Sequence, residues 1–397
     1  MAQSSAEQMR AWTGPALFSF GFRPFFLFGA AWVALAMIIW IFVLSGVIDL
    51  PSRLDPVSWH AHAFLFGYLG AVLAGFLLTA VPNWTGRLPM VGWKLAALFA
   101  LWCVGRVAVF MSAHLPAGMA PVIDLAFPIV LGGLILQEII AGKNWRNLVV
   151  LALLAVFTLA NAVFHFEASR GLYAAQGYGL RLGLATAIMM IAVIGGRIIP
   201  SFTRNWLARS ENPARPAAPM QLFDKVTLLV SIPILVLWVL APSTLMTAVG
   251  LLVFCVLHAV RMFRWQGHQT LSDPLVWILH ASYLFIPIGA FALAADVVMA
   301  GKGLAAAQHI WMAGAIGSMT LAVMTRATLG HTGQELHANA ATVVVYLCLF
   351  AAVGARWLSG FFPDLITISG VLWIAAFAGF VITYGACLSR PKPEKPA

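Results

Sequence analysis

VSWHAHAFLFGYLGAVLAGFLLTAV, residues 57–81, is longer than the roughly 20 apolar residues a membrane-spanning helix needs, and no Asp, Glu, Lys or Arg interrupts it. It also opens on two imidazoles, His60 and His62. Ionisable side chains are costly in hydrocarbon and usually face a bundle interior or a cavity. The stretch therefore predicts a buried span that carries a metal or heme ligand near one end. For any single histidine, a hydrogen bond to a carbonyl is an equally good reading.

Outward from this stretch the same pattern repeats. The chain is 62% hydrophobic and only 9% charged over its 397 residues, too little polar surface to cover a soluble globule. Twelve apolar stretches predict an all-α, twelve-helix transmembrane bundle. They run Phe22–Val47, Val57–Val81, Met90–Ser112, Gly118–Ala141, Trp145–Phe166, Ala175–Pro200, Leu222–Ala241, Ser243–Trp265, Pro274–Val298, Leu304–Leu329, His337–Trp357 and Pro363–Leu388. Pro, Gly, Asn and charge clusters separate them; only Pro242 and Ser243 mark the break between the seventh and eighth. One membrane domain is expected over 22–388, with tails at 1–21 and 389–397. The first nine residues show no apolar core or cleavage site, so no signal peptide is expected. A loop at Ser201–Gln221 is expected to divide six helices from six.

The net charge of +10 is an orientation signal rather than a nucleic-acid footprint. Seventeen of the 23 Lys and Arg, from Arg10 to Lys392 and Lys395, fall at cytoplasmic ends if the N-terminus is cytoplasmic. Only Arg53, Arg170, Arg181, Lys302 and Arg356 lie toward the other side, and Arg106 is intramembrane. This positive-inside bias places both termini in the cytoplasm. Cys103, Cys255, Cys348 and Cys387 fall inside predicted helices without CxxC or CxxCH spacing, against a zinc site or c-type heme. Gly195-Gly196-Arg197 lacks the spacing of a phosphate loop, and no hydrolytic constellation stands out. Helices two, six and ten each end in a Thr-and-Arg string: Thr85-Gly86-Arg87, Thr203-Arg204 and Thr325-Arg326. That spacing is either ordinary punctuation or the trace of three pseudo-symmetric four-helix arcs.

Orientation sorts the histidines by depth. His60, His62, His165, His309 and His114 belong to the outer side; His258, His268, His280, His331 and His337 belong to the inner side. At 1.5 Å rise per residue the groups are separated by much of the bilayer, so they cannot form one mononuclear site. Residues two apart on a helix point about 200° from each other, so His60 and His62 do not serve one iron from one side. A heme between helices two and ten takes one imidazole from His60 or His62 and another from His309, with His165 a further candidate ligand. Arg106 and Arg181 either hold its propionates or pair with Asp124 or Asp296. On the inner side, His280, His331 and His258 either bind copper, gate a proton path or cap helix ends.

Several strings then resemble one family. Gly21-Phe22-Arg23-Pro24-Phe25-Phe26 opens helix one; Trp59-His60-Ala61-His62 opens helix two, and Leu77 through Arg87 closes it. Gly195 through Asn205, Asp273 through His280 and Met324 through Gly333 continue the likeness along the chain. Together they resemble the NnrS family. The resemblance implies a bacterial inner-membrane protein with heme b and copper, associated with nitric oxide metabolism in denitrification or nitrosative stress. One departure is Ala63, where the family's usual string has Glu after the second His. More distantly, the topology resembles heme–copper oxidases and nitric oxide reductases, which hold a low-spin heme by His from helices two and ten. Helices six and seven here carry no His, so that superfamily's second metal site is not copied.

The expected function is nitric oxide handling. As an enzyme, the chain takes two NO, two electrons and two protons to nitrous oxide and water, with a quinol or cytochrome c as donor. The alternatives are a non-catalytic heme protein that binds or senses NO or protects cellular iron, and a membrane transporter. Expected partners are nitric oxide and membrane lipid, not nucleic acid.

Overall fold

The computed structural model describes residues 11–299 and 303–391. Arg10, Lys302, Lys392 and Lys395 lie outside the described residues, as do parts of both expected tails. Among the described residues there is no strand, and eleven helices are long and apolar enough to cross a membrane. They are α1 Phe22–Leu44, α2 Pro56–Thr85, α3 Trp93–Phe110, α4 Met119–Ala141, α5 Trp145–Ser169, α6 Tyr178–Arg209, α7 Leu222–Leu240, α8 Leu245–Phe263, α9 Pro274–Val298, α11 Ala340–Leu358 and α12 Leu365–Ser389. Between α9 and α11 runs α10, residues 304–332, continuous in three segments. It falls outside the eleven because Gln308, His309, Ser318, Thr320, Thr325 and Arg326 dilute its apolar run.

Each predicted stretch coincides with one of these helices. The main correction is at the expected loop Ser201–Gln221, whose first part is helix: α6 runs through Pro200 and ends at Arg209. His331, expected in a turn, lies in the last turn of α10. Of the three Thr-and-Arg strings only one ends a helix. Gly86 there adopts a left-handed φ of 70° and stops α2. Thr203 and Thr325 have no glycine behind them, and both stay inside their helices. All three threonines instead return their hydroxyl to the preceding turn: Thr85 to Val81 O, Thr203 to Ile199 O and Thr325 to Ala322 O.

By contacts, the described residues fall into two compact units. The first holds residues 11–183, 327–334 and 377–391. Here Asp55 accepts from Val57 N and Ser58 N and, with Pro56 behind it, starts α2. Arg23 Nη1 donates to the carbonyls of Cys387, Leu388 and Arg390, neutralising the C-terminal end of α12. Within α2, Ala63–Tyr68 widens into a π-helical stretch. Widening displaces carbonyls from their usual partners. Two indoles meet them: Trp32 Nε1 donates to Ala63 O at 3.1 Å and Trp102 Nε1 to Gly67 O at 3.0 Å. Gly67 must be glycine because a Cβ there meets Arg106 Nη1 and Trp32 Nε1.

The second unit holds Leu184–Arg326 and Glu335–Ala376. Its helices start on side-chain caps: Gln221 with Asp224 for α7, Thr244 for α8, Asp273 with Pro274 for α9 and Asn339 for α11. Two further π-helical stretches, Ile191–Gly195 in α6 and Ile310–Gly317 in α10, lie in this unit. In the first of them Ala192 O accepts from Arg261 Nη1, and Arg261 Nε donates to Asp224 Oδ1 at 2.7 Å. Among the described residues, then, π-helix occurs in the three helices at four-helix spacing, α2, α6 and α10.

Candidate metal centre

Four helices of the first unit bring polar groups to one level. His62 lies six residues after the start of α2 and Asp124 five after the start of α4. Arg106 lies four before the end of α3 and His165 four before the end of α5. At 1.5 Å per residue each is about 6–9 Å below the same loop face. Asn161 precedes His165 by four residues, so the two share a face of α5.

The side chains converge on Asp124. Its Oδ2 lies 3.0 Å from His62 Nε2, 2.9 Å from His165 Nε2 and 2.8 Å from Asn161 Nδ2. Its Oδ1 is ion-paired with Arg106 Nη2. His62 Nε2 is also 3.0 Å from Asn161 Oδ1. All five are buried, and His62 and Asp124 expose nothing. Arg106 thus takes the structural partner that was one of its two expected roles.

The donor set suits a single metal ion. Two imidazole nitrogens and a carboxylate oxygen lie within 4.8 Å of one another, the combination that leaves open positions on a redox metal. Ligands about 2.1 Å from an ion and at right angles to each other are about 3 Å apart, which the two His–Asp separations match. Without an ion both Nε2–H groups point at one oxygen, and His62 Nδ1 is left buried without a hydrogen-bond partner. A heme does not fit around His62. Its ring is enclosed by Phe66, Phe164 and His165, and the crevice beside Asp124 has about 10 Å³ of free volume. Organic ligands occupy hundreds of Å³.

The other candidates sit elsewhere. His60 is turned away from His62, as the two-residue spacing predicts: its ring stacks on Trp40 at 4.6 Å and meets Phe64 at 4.4 Å. His309 Nδ1 is 2.6 Å from Ala305 O, so Nδ1 carries the hydrogen. Arg181 pairs with neither Asp124 nor Asp296; it donates to Gln176 O and lies over the Tyr178 ring. Asp296 accepts from Gly303 N. Of the histidines expected on the inner side, His280 Nε2 meets Thr203 Oγ1 at 2.7 Å. Thr203 already donates to Ile199 O, so the imidazole is the donor. His258 lies between Ser231 Oγ at 3.0 Å and Tyr283 Oη at 2.7 Å, and His331 packs on Phe20 and Phe22. Among the described residues none of these three joins a group able to share an ion; His62, Asp124 and His165 alone do.

Asp124 and Asn161 are the members of this cluster that the sequence reading did not propose as site residues. Asp124 was weighed only as an arginine's partner, although an aspartate deep in an apolar helix is a site signal in itself. Asn161 could have been found from its four-residue spacing to His165.

A family model described as NnrS protein matches residues 16–392. No curated protein matches the chain.

Proposed function

The chain belongs to the NnrS family, and from that premise we propose that it is a nitric oxide-handling protein of the bacterial inner membrane whose metal is held by His62, Asp124 and His165. The observation that carries this is the meeting of two buried imidazoles and a carboxylate from α2, α4 and α5. Copper is the ion we assign, since imidazole suits it. Asp124 is already matched by Arg106, so a monovalent ion adds least net charge to the hydrocarbon. Copper bound there supplies a one-electron centre able to take nitric oxide. The chain's own residues do the rest: Arg106 serves as the counter-ion of Asp124, and Asn161 orients its second oxygen.

His60 and His309 each remain candidate ligands for heme b. The Nδ1 contact to Ala305 O supports His309, because it leaves Nε2 as the ligating nitrogen. His280, His331 and His258 are secondary candidates for copper or proton movement. The finer topology belongs to the same proposal: α10 as a twelfth span, both termini cytoplasmic, and three arcs of four helices, which the π-helical stretches at four-helix spacing support.

The reaction proposed is two NO, two electrons and two protons to nitrous oxide and water, with a quinol or cytochrome c as donor. A second reading, NO binding or sensing without turnover, is favoured by the single ion-sized ligand group among the described residues. Purified protein, reduced anaerobically and given NO, tests the choice. Loss of NO with matching nitrous oxide is the expected result. NO-dependent spectral change without nitrous oxide selects the binding reading. No spectral change and no NO loss, with substrate uptake into vesicles by metal-free protein, replaces both with transport.

A further inference from the structure

We propose that the crevice between α4 and α5 is a gas port that opens at hydrocarbon depth and leads a small apolar diatomic molecule to the His62–Asp124–His165 group. The inference rests on the metal reading above. Asp124, Asn161 and Arg106 form the polar floor of the crevice, beneath walls of Phe66 from α2, Phe127 and Leu131 from α4 and Leu154 and Phe157 from α5. Thr158 and Pro128 lie at its mouth, both half-buried, beside Leu159 and Ile129, which are exposed. Pro128 is nine residues into α4, about 13–14 Å from the helix start. That places the mouth in the middle of a helix of 23 residues, where the surrounding solvent is lipid tail.

Three features select the guest. The free volume of about 10 Å³ admits about one water-sized molecule, which rules out an organic substrate. The walls are aromatic and aliphatic, so an ion or a hydrated solute loses its water shell without replacement. The Thr158 hydroxyl, the polar group at the mouth, gives its hydrogen to Leu154 O at 2.8 Å and so offers an entering molecule no donor. Nitric oxide is small, uncharged and soluble in lipid, and meets all three conditions. Pro128 has no N–H to give to Asp124 O, which loosens α4 between the mouth and the floor.

The test uses the full-length protein in nanodiscs with two variants of opposite effect. Thr158→Trp narrows the mouth at a lipid-facing position, and Leu154→Ala widens the wall. In copper-loaded, reduced protein, stopped-flow mixing with NO reads the binding rate. A port changes the barrier and not the end states, so Thr158→Trp slows binding and release together by about tenfold at unchanged equilibrium affinity, and Leu154→Ala speeds both. Separately, copper titration of the wild type and both variants reads the metal group itself, and all three bind copper with equal affinity. Equal NO rates in all three copper-loaded proteins overturn the port. Wild-type protein that binds no copper, or binds copper but never NO, overturns the metal reading instead.

Discussion

Asp124 accepts four hydrogen bonds at a fully buried position, and Arg106 is its counter-ion. Removing one partner of such a pair is worse than removing both, because an uncompensated charge stays in a low-dielectric site. Asp124→Ala is expected to cost about 3–5 kcal/mol and Asp124→Ala with Arg106→Met distinctly less. Thermal unfolding in detergent reads the difference; equal losses would show that Arg106 finds other partners. Asn161 touches the carboxylate and His62 rather than standing in for a ligand. Asn161→Ala should therefore weaken copper binding by about 10- to 100-fold, as loss of an orienting partner does. His62→Ala and His165→Ala should abolish stoichiometric binding. Copper titration of the purified variants separates these two grades of effect.

At the scale of single helices the π-helical stretches are the recurring device. Each widens a span that is otherwise mostly buried, and the carbonyls it displaces need donors from neighbours. In α2 these donors are indoles, which bring a large apolar body with one polar hydrogen. Trp102→Phe keeps the body and removes the hydrogen, so it leaves Gly67 O unsatisfied at a cost of about 1–3 kcal/mol. A Trp102→Phe protein that unfolds at the wild-type temperature would mean the carbonyl has found water or another donor. In α6 an arginine plays the part of the indoles, held there by Asp224. The helix boundaries were legible beforehand because Pro, Gly and capping side chains mark them. The continuation of α6 past Pro200 was not, since a proline in a helical run reads as a stop. Residues 201–209 continue as a polar, basic helix beyond the apolar run.

For the whole chain, the positive-inside bias makes a topological prediction that α10 tests best. With α10 as a span, Gly303 and Glu335 lie on opposite sides of the membrane. A membrane-impermeant thiol reagent added to intact cells should label Gly303→Cys and spare Glu335→Cys. The four native cysteines are half-buried within α3, α8, α11 and α12. Labelling of both positions, or of Glu335→Cys alone, would remove α10 from the spans or invert the orientation. Much of the candidate site was also visible as parts: His62, His165 and Arg106 were picked out, and their common level followed from counting residues to the helix ends. Spacing alone separated His60 from His62 but left open which of the two had the metal-binding neighbours.

What composition and spacing determined alone was the all-helical, membrane character of the chain, the order of the helices and most of their ends, and how far each polar residue lies from a helix end. These are one-dimensional quantities, set by apolar length, cap chemistry and rise per residue. Rotation about each helix axis was not determined, because spans that are apolar nearly all round carry no amphipathic stripe to say which side faces inward. Only tertiary packing decided that His62 meets Asp124 and His165 while His60 meets Trp40. Only packing turned Asp124, a single charge in an apolar run, into the centre on which four helices agree.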